Sequence, residues 1–208
     1  MQCYAALLER APDDTHARRR LKELAKRSGH NDLYAQAIAR AAEACEDLGA
    51  KVELWLEAAE LKRSALDDHG GAIALYQQVL DTEDIAADLQ RRAAQALDEL
   101  LGNAGRGDER LVVLERLAEL TGAPTVRRQI LGKAARLAAE LGHYERALAS
   151  WQAALALDAQ DLEALNATVD LCAKIERWEE PSPRPATPAA SASEDGGEER
   201  HGVHRRAA

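Results

Sequence analysis

The residues best suited to chemistry in this sequence are its histidines, its cysteines and one glycine-rich stretch. His201 and His204 form an H-x-x-H motif with Glu198 and Glu199 just upstream, which is donor chemistry for a divalent metal. A metal site needs preformed geometry, and the Pro/Ala/Ser-rich segment that carries this motif supplies none, so no metal is expected. His16, His30, His69 and His143 fall in turns or at helix starts, where a polar capping role is expected rather than catalysis. The stretch GNAGRG (102–107) has the glycine content of a phosphate loop. It lacks the following Lys and Ser/Thr, and it succeeds a helical segment rather than a strand, so it reads as a linker. Cys3, Cys45 and Cys172 are odd in number and far apart, unlike zinc pairs or a disulfide framework. They read as small core residues of a reducing compartment. Acidic neighbours such as Glu57 with Glu60, or Asp67 with Asp68, read as a solvated face rather than an acid/base pair. The expectation is a protein that is not an enzyme, with no metal and no cofactor.

What must position these residues is helical. Among 208 residues, 46% are hydrophobic and only 3% aromatic, with no Phe. Ala and Leu, good helix formers, dominate the apolar set, while the β-branched and aromatic residues that favour strands are scarce. No run of about 18 apolar residues exists to cross a bilayer, so no membrane insertion is expected. A net charge of -9 and a pI near 5.2 repel a phosphate backbone and argue against nucleic acid. The N-terminus has no basic segment leading into an apolar core, which makes the cytoplasm the expected location.

Four of the six prolines, Pro181, Pro183, Pro185 and Pro188, open a stretch in which Val203 is the only aliphatic residue besides Ala. Residues 181–208 therefore read as a disordered charged tail, and 1–180 as the folded domain. The tail's charges cancel, so the whole -9 resides on 1–180. Within that domain, turn marks such as SGHND (28–32), DDHGG (67–71), TGAPT (121–125) and LDAQD (157–161) separate segments of ordinary helix length. Leu131, Ala134, Ala135, Ala138 and Leu141, and likewise Ala147, Leu148, Trp151, Ala154 and Leu155, recur at helical spacing. About nine helices with antiparallel neighbours are expected, with Thr125, Asp161, Asp84 and Asn31 or Asp32 as caps.

The segments AIALYQQVLDTED (72–84) and ALASWQAALALDAQD (147–161) share small, aromatic and apolar positions in one order, and their aromatics, Tyr76 and Trp151, stand 75 residues apart. That is two units of about 37, the mark of a helical repeat array. Residues 128–161 resemble a tetratricopeptide repeat. Leu131 stands where the family usually has Trp, and Ala134 with Ala135 form the small pair. Gly142 and Tyr144 match the turn, and Ala147, Trp151 and Ala154 match the second helix. Unit 85–122 carries Glu115, and unit 15–48 carries Ile38, where an aromatic is expected. Spacings of 36 to 39 residues also leave a HEAT-like solenoid open.

The resemblance implies an all-α, α-solenoid fold of about four repeats plus partial repeats at both ends. It also implies a non-catalytic role, binding another protein or peptide in a concave groove lined by first helices. The groove positions are then Gln129, Lys133, Arg136 and Glu140, followed by Asn166 and Asp170, with Arg19, Lys26 and Arg27 as a basic end. Repeat packing falls to Tyr76, Ala135, Gly142, Tyr144, Ala147, Trp151 and Ala154. Residues 1–14 read as a second helix without its first, and 162–180 as a first helix without its second. The alternative expectation is therefore a scaffold, or part of a longer array, that self-associates through its end helices.

Overall fold

The computed structural model describes residues 1–12 and 14–179, with side chains to residue 175; the expected tail, 181–208, lies outside the described residues. The described residues form ten α-helices and no strand, so the fold is all-α. They are α1 (Gln2–Arg10), α2 (Thr15–Ser28), α3 (Asn31–Ala44), α4 (Leu48–Ala65) and α5 (His69–Asp81). They continue as α6 (Ala87–Asn103), α7 (Gly107–Leu120), α8 (Pro124–Glu140), α9 (Tyr144–Leu157) and α10 (Leu162–Glu179). Ten helices stand against the expected nine or so, and α1 lies within 1–14, the segment read as a helix of its own. Pro12 has no N–H to donate, and the Asp14 carboxylate accepts from Ala17 N at 2.9 Å, capping a new helix.

The same local rule starts α4, where Asp47 accepts from Ala50 N at 2.7 Å, and α5, where Asp68 accepts from Gly71 N at 2.8 Å. Asp161 caps α10 through Glu163 N and Ala164 N, as its position suggested. Thr125 and Asp84 do not cap. Pro124 takes the first helical position of α8 and draws Thr125 inside, while Asp84 adopts φ +58 in the loop before α6. That loop is held by Gln90, buried on α6, whose Nε2 donates to Thr82 O at 2.9 Å. The expected linker 102–107 shrinks to Ala104–Arg106, because Gly105 turns the chain at φ +68 while both helices extend into the glycines. A Cβ on Gly107 would stand 2.8 Å from Cδ2 of the exposed Leu141 side chain at the end of α8.

Each helix packs on the next in sequence, and α1 lies against both α2 and α3. Alanine makes up 18 of the 39 buried apolar side chains among the described residues, and side chains this small permit close approach of neighbouring helices. Two core clusters meet on α4: Leu54 and Ala58 face a cluster built by α1–α3, and Val52, Leu56 and Ala59 face one that runs to Leu171 of α10. Trp55 and Leu75 touch both. The cysteines depart from the core expectation, since Cys3 is exposed and Cys45 and Cys172 are only half-buried. No helix among the described residues is long and apolar enough to cross a membrane.

Candidate functional site

Charged and polar pairs join helices two apart in sequence. Arg40 of α3 meets Glu9 of α1 at 3.2 Å; Lys22 of α2 meets Glu57 of α4 at 2.8 Å; Arg63 of α4 meets Glu99 of α6 at 3.1 Å. Gln77 of α5 donates to Glu109 of α7, Arg146 of α9 grips Glu115 of α7, and Arg128 and Arg136 of α8 meet Asp161 and Glu163 at the start of α10. Odd-numbered helices are thus tied to odd, and even to even. Glu115, which occupies an expected aromatic position, accepts two guanidinium hydrogens at 2.7 and 3.1 Å, and this contact holds the Arg146 guanidinium above its ordinary value.

The even-numbered helices carry two depressions. One, of about 270 Å³, lies between α8 and the start of α10 over the Trp151 ring of α9. It brings together Gln129, Lys133 and Arg136 with Glu163. Arg136 is fixed twice, by its bond to Glu163 and by its guanidinium 5.8 Å from the Trp151 ring centre. Arg128 is fixed by Asp161, with Asp158 at 3.7 Å. The Asp161 carboxyl lies below the usual range, chiefly because the Ala164 N–H bonds its charged form and Arg128 assists. Lys133, between the two arginines on α8, has no ion-pair partner among the described residues. Of the three cations on this side of α8, Arg128 and Arg136 are paired with carboxylates and Lys133 is not.

Glu140, Asn166 and Asp170 are exposed but stand outside this depression. Arg19, Lys26 and Arg27 are exposed on α2, and the cations α2 turns toward α4 are Arg18 and Lys22. Arg27 follows Lys22 by five residues, about 140° around the helix. Of the packing residues, Tyr76, Ala135, Ala147, Trp151 and Ala154 are buried, Gly142 turns the chain between α8 and α9 at φ +82, and Tyr144 is half-buried with Lys174 5.7 Å from its ring centre.

The second depression, of about 320 Å³, lies between α2, α4 and α6 and is centred on Glu57. Glu57 accepts from Tyr34 Oη at 2.7 Å and from Lys22 Nζ at 2.8 Å, with Arg18 at 3.6 Å. It is a bonded, largely covered carboxylate rather than part of a solvated face. Glu60 similarly accepts from the buried Tyr76 at 3.1 Å and pairs with Arg63. The Tyr34–Glu57 bond is not readable from sequence, because Tyr34 and Ile38 share one α3 face and either could be the buried residue; in the structure Tyr34 and Ile38 are both fully buried.

Burial, then the hydrogen bond to Glu57, raises the Tyr34 phenol far above its ordinary value; Tyr76 is pushed up to about 12, first by burial and then by Glu60. Unfolded tyrosines ionise near pH 10, so the stability these neutral phenols contribute is complete below about pH 10 and lost as pH rises beyond it. Tyr34→Phe is expected to cost about 1–2 kcal/mol near neutrality and to reduce the alkaline loss, read by urea melts from pH 7 to 11. A variant as stable as the parent at every pH would refute that role for the hydroxyl.

No group of three or more His, Cys, Asp or Glu side chains that could hold a metal exists among the described residues. His143 instead bonds Asp108 at 2.7 Å, joining the start of α9 to α7. Compared with known proteins, the chain matches no family model and no curated sequence.

Proposed function

We propose that this chain is a non-catalytic interaction module, a tetratricopeptide-like α-solenoid that binds a peptide or a protein segment along its even-numbered helices. The observation that carries the reading is the depression over Trp151. There two arginines are locked in place by α10, and Lys133 is left unpaired between them. Fixed side chains lose little entropy on binding, so such a surface selects a ligand by shape and charge position. The ties between alternate helices support a stacked array, since units in a solenoid touch only their neighbours. In that arrangement the even-numbered helices form one layer, and Gln129, Lys133 and Arg136 face the binding side. Mixed charge in both depressions suits a partner that carries acidic and basic groups together. The cytoplasm remains the proposed location, and nucleic acid is disfavoured by the charge of -9.

The test is affinity capture on immobilised protein, followed by titration of the captured segment as a synthetic peptide. Lys133→Glu changes an exposed side chain with no internal partner and is expected to leave the thermal melt unchanged while weakening the peptide about tenfold or more. Equal affinity for parent and variant would remove this depression from the binding surface.

A further inference from the structure

Apart from proline, glycine is the residue least suited to the middle of a helix, and Gly132 stands at the midpoint of α8, Pro124–Glu140. Gly105 and Gly142 have left-handed backbones that ask for glycine; Gly132 does not. Packing does not require it either. A Cβ at this position would stand 3.5 Å from Cζ3 of Trp151 and 3.6 Å from Nη1 of Arg136, which is ordinary van der Waals contact. Alanine would fit and would strengthen the helix, so neither backbone conformation nor the core accounts for the missing side chain.

What its absence leaves is the depression over Trp151. Arg128 and Arg136 lie one turn before and one turn after Gly132, and with Gln129 and Lys133 they line the space around it. The floor is the buried glycine and the edge of the Trp151 ring. At about 270 Å³ the space falls below the range of about 300–1,000 Å³ typical of small-molecule clefts, and it suits one side chain of a larger ligand.

Charge selects which side chain. The three cations that line the depression exceed its two carboxylates, Asp161 and Glu163, by one, in a chain whose net charge is -9. Arg128 and Arg136 each give only Nη1 to a carboxylate, and Lys133 gives its ammonium to none. An anionic group therefore finds unused donors here and repulsion over most of the remaining surface, whereas a basic side chain would meet three like charges. Resting on the peptide-binding reading above, we propose that Gly132 is a specificity-determining residue of that surface. Its missing side chain leaves a notch for one acidic side chain of the bound segment, with methylenes against the Trp151 edge and carboxylate on Lys133.

Three capped pentapeptides, Ala-Ala-X-Ala-Ala with Glu, Gln or Lys at X, test this on the full chain, with binding followed by NMR at the Trp151 ring. The Glu peptide is expected to shift the ring signals, the Gln peptide to bind at least tenfold more weakly, and the Lys peptide to leave the signals unmoved. Gly132→Ala is expected to melt about 2–4 °C above the parent while binding the Glu peptide at least fivefold more weakly. A residue that acted only through the fold would not lose affinity as stability rises. Gly132→Leu fills the notch and is expected to remove binding. The inference is overturned by a Glu peptide that shifts nothing, by a Gln peptide that binds equally, or by a Gly132→Ala variant that binds like the parent. A captured segment weakened by Lys133→Glu but indifferent to Gly132→Ala removes the notch alone and leaves the interaction module standing.

Discussion

Ala147→Glu is expected to lower the unfolding free energy by about 3 kcal/mol or more. Ala147 is fully buried on α9, in the same cluster as Ala134, Ala135 and Ala138 of α8 and Trp151 and Ala154 of its own helix. The α8–α9 contact is the most extensive between any two helices, and its small side chains leave no room for a carboxylate. None of these core neighbours is a cation, so the new carboxylate would be buried unpaired, and its folded-state pKa would rise above the unfolded value near 4.3. The deficit against the parent is therefore smallest below about pH 4 and grows as pH rises through the raised pKa. Ala149→Glu, at an exposed position two residues along the same helix, is the control and is expected to change stability by no more than about 0.5 kcal/mol. Urea melts of the two variants at pH 7 decide the matter, and coincident curves would contradict the burial of Ala147.

Trp151→Ala is expected to cost about 3–5 kcal/mol, which for a chain of this size lowers the melting temperature by at least about 6 °C. The ring is 3% exposed and fills the space below α8, where a Cβ added to Gly132 would stand 3.5 Å from it. Truncation leaves a cavity that the flanking helices cannot close without breaking the ion pairs from Arg128 and Arg136 to α10. It also removes the face over which the Arg136 guanidinium lies, worth about 0.5–1 kcal/mol at an exposed site. If the proposed binding surface is correct, stability and recognition then fall together, unlike the exposed Lys133→Glu, which separates them. A loss under about 1 kcal/mol by calorimetry would show that the ring carries little of the packing between α8 and α9.

Much of the fold was legible locally. Apolar residues three and four apart on Leu131–Ala138 and Ala147–Leu155 mark the sides that α8 and α9 bury, and Asp161 reads as a cap because a capping carboxylate bonds N–H groups only two and three residues ahead. Thr125 and Asp84 misled for the same local reason: a proline at the first helical position, or a residue in a left-handed conformation, displaces the boundary by a residue or two. Cys3, Cys45 and Cys172 misled because chemical softness says nothing of depth.

The amino-acid order by itself determined that the described chain is helical, where it turns, and which side of each helix is apolar, since propensity, capping and periodicity all act within about one turn. Only the tertiary structure decided that Glu57 meets Tyr34 and Lys22, that Arg136 lies over Trp151, and that Lys133 is left without a partner. Those meetings join side chains 15 to 35 residues apart, and their choice among many equivalent charges depends on how far each helix is rotated when its alanines pack.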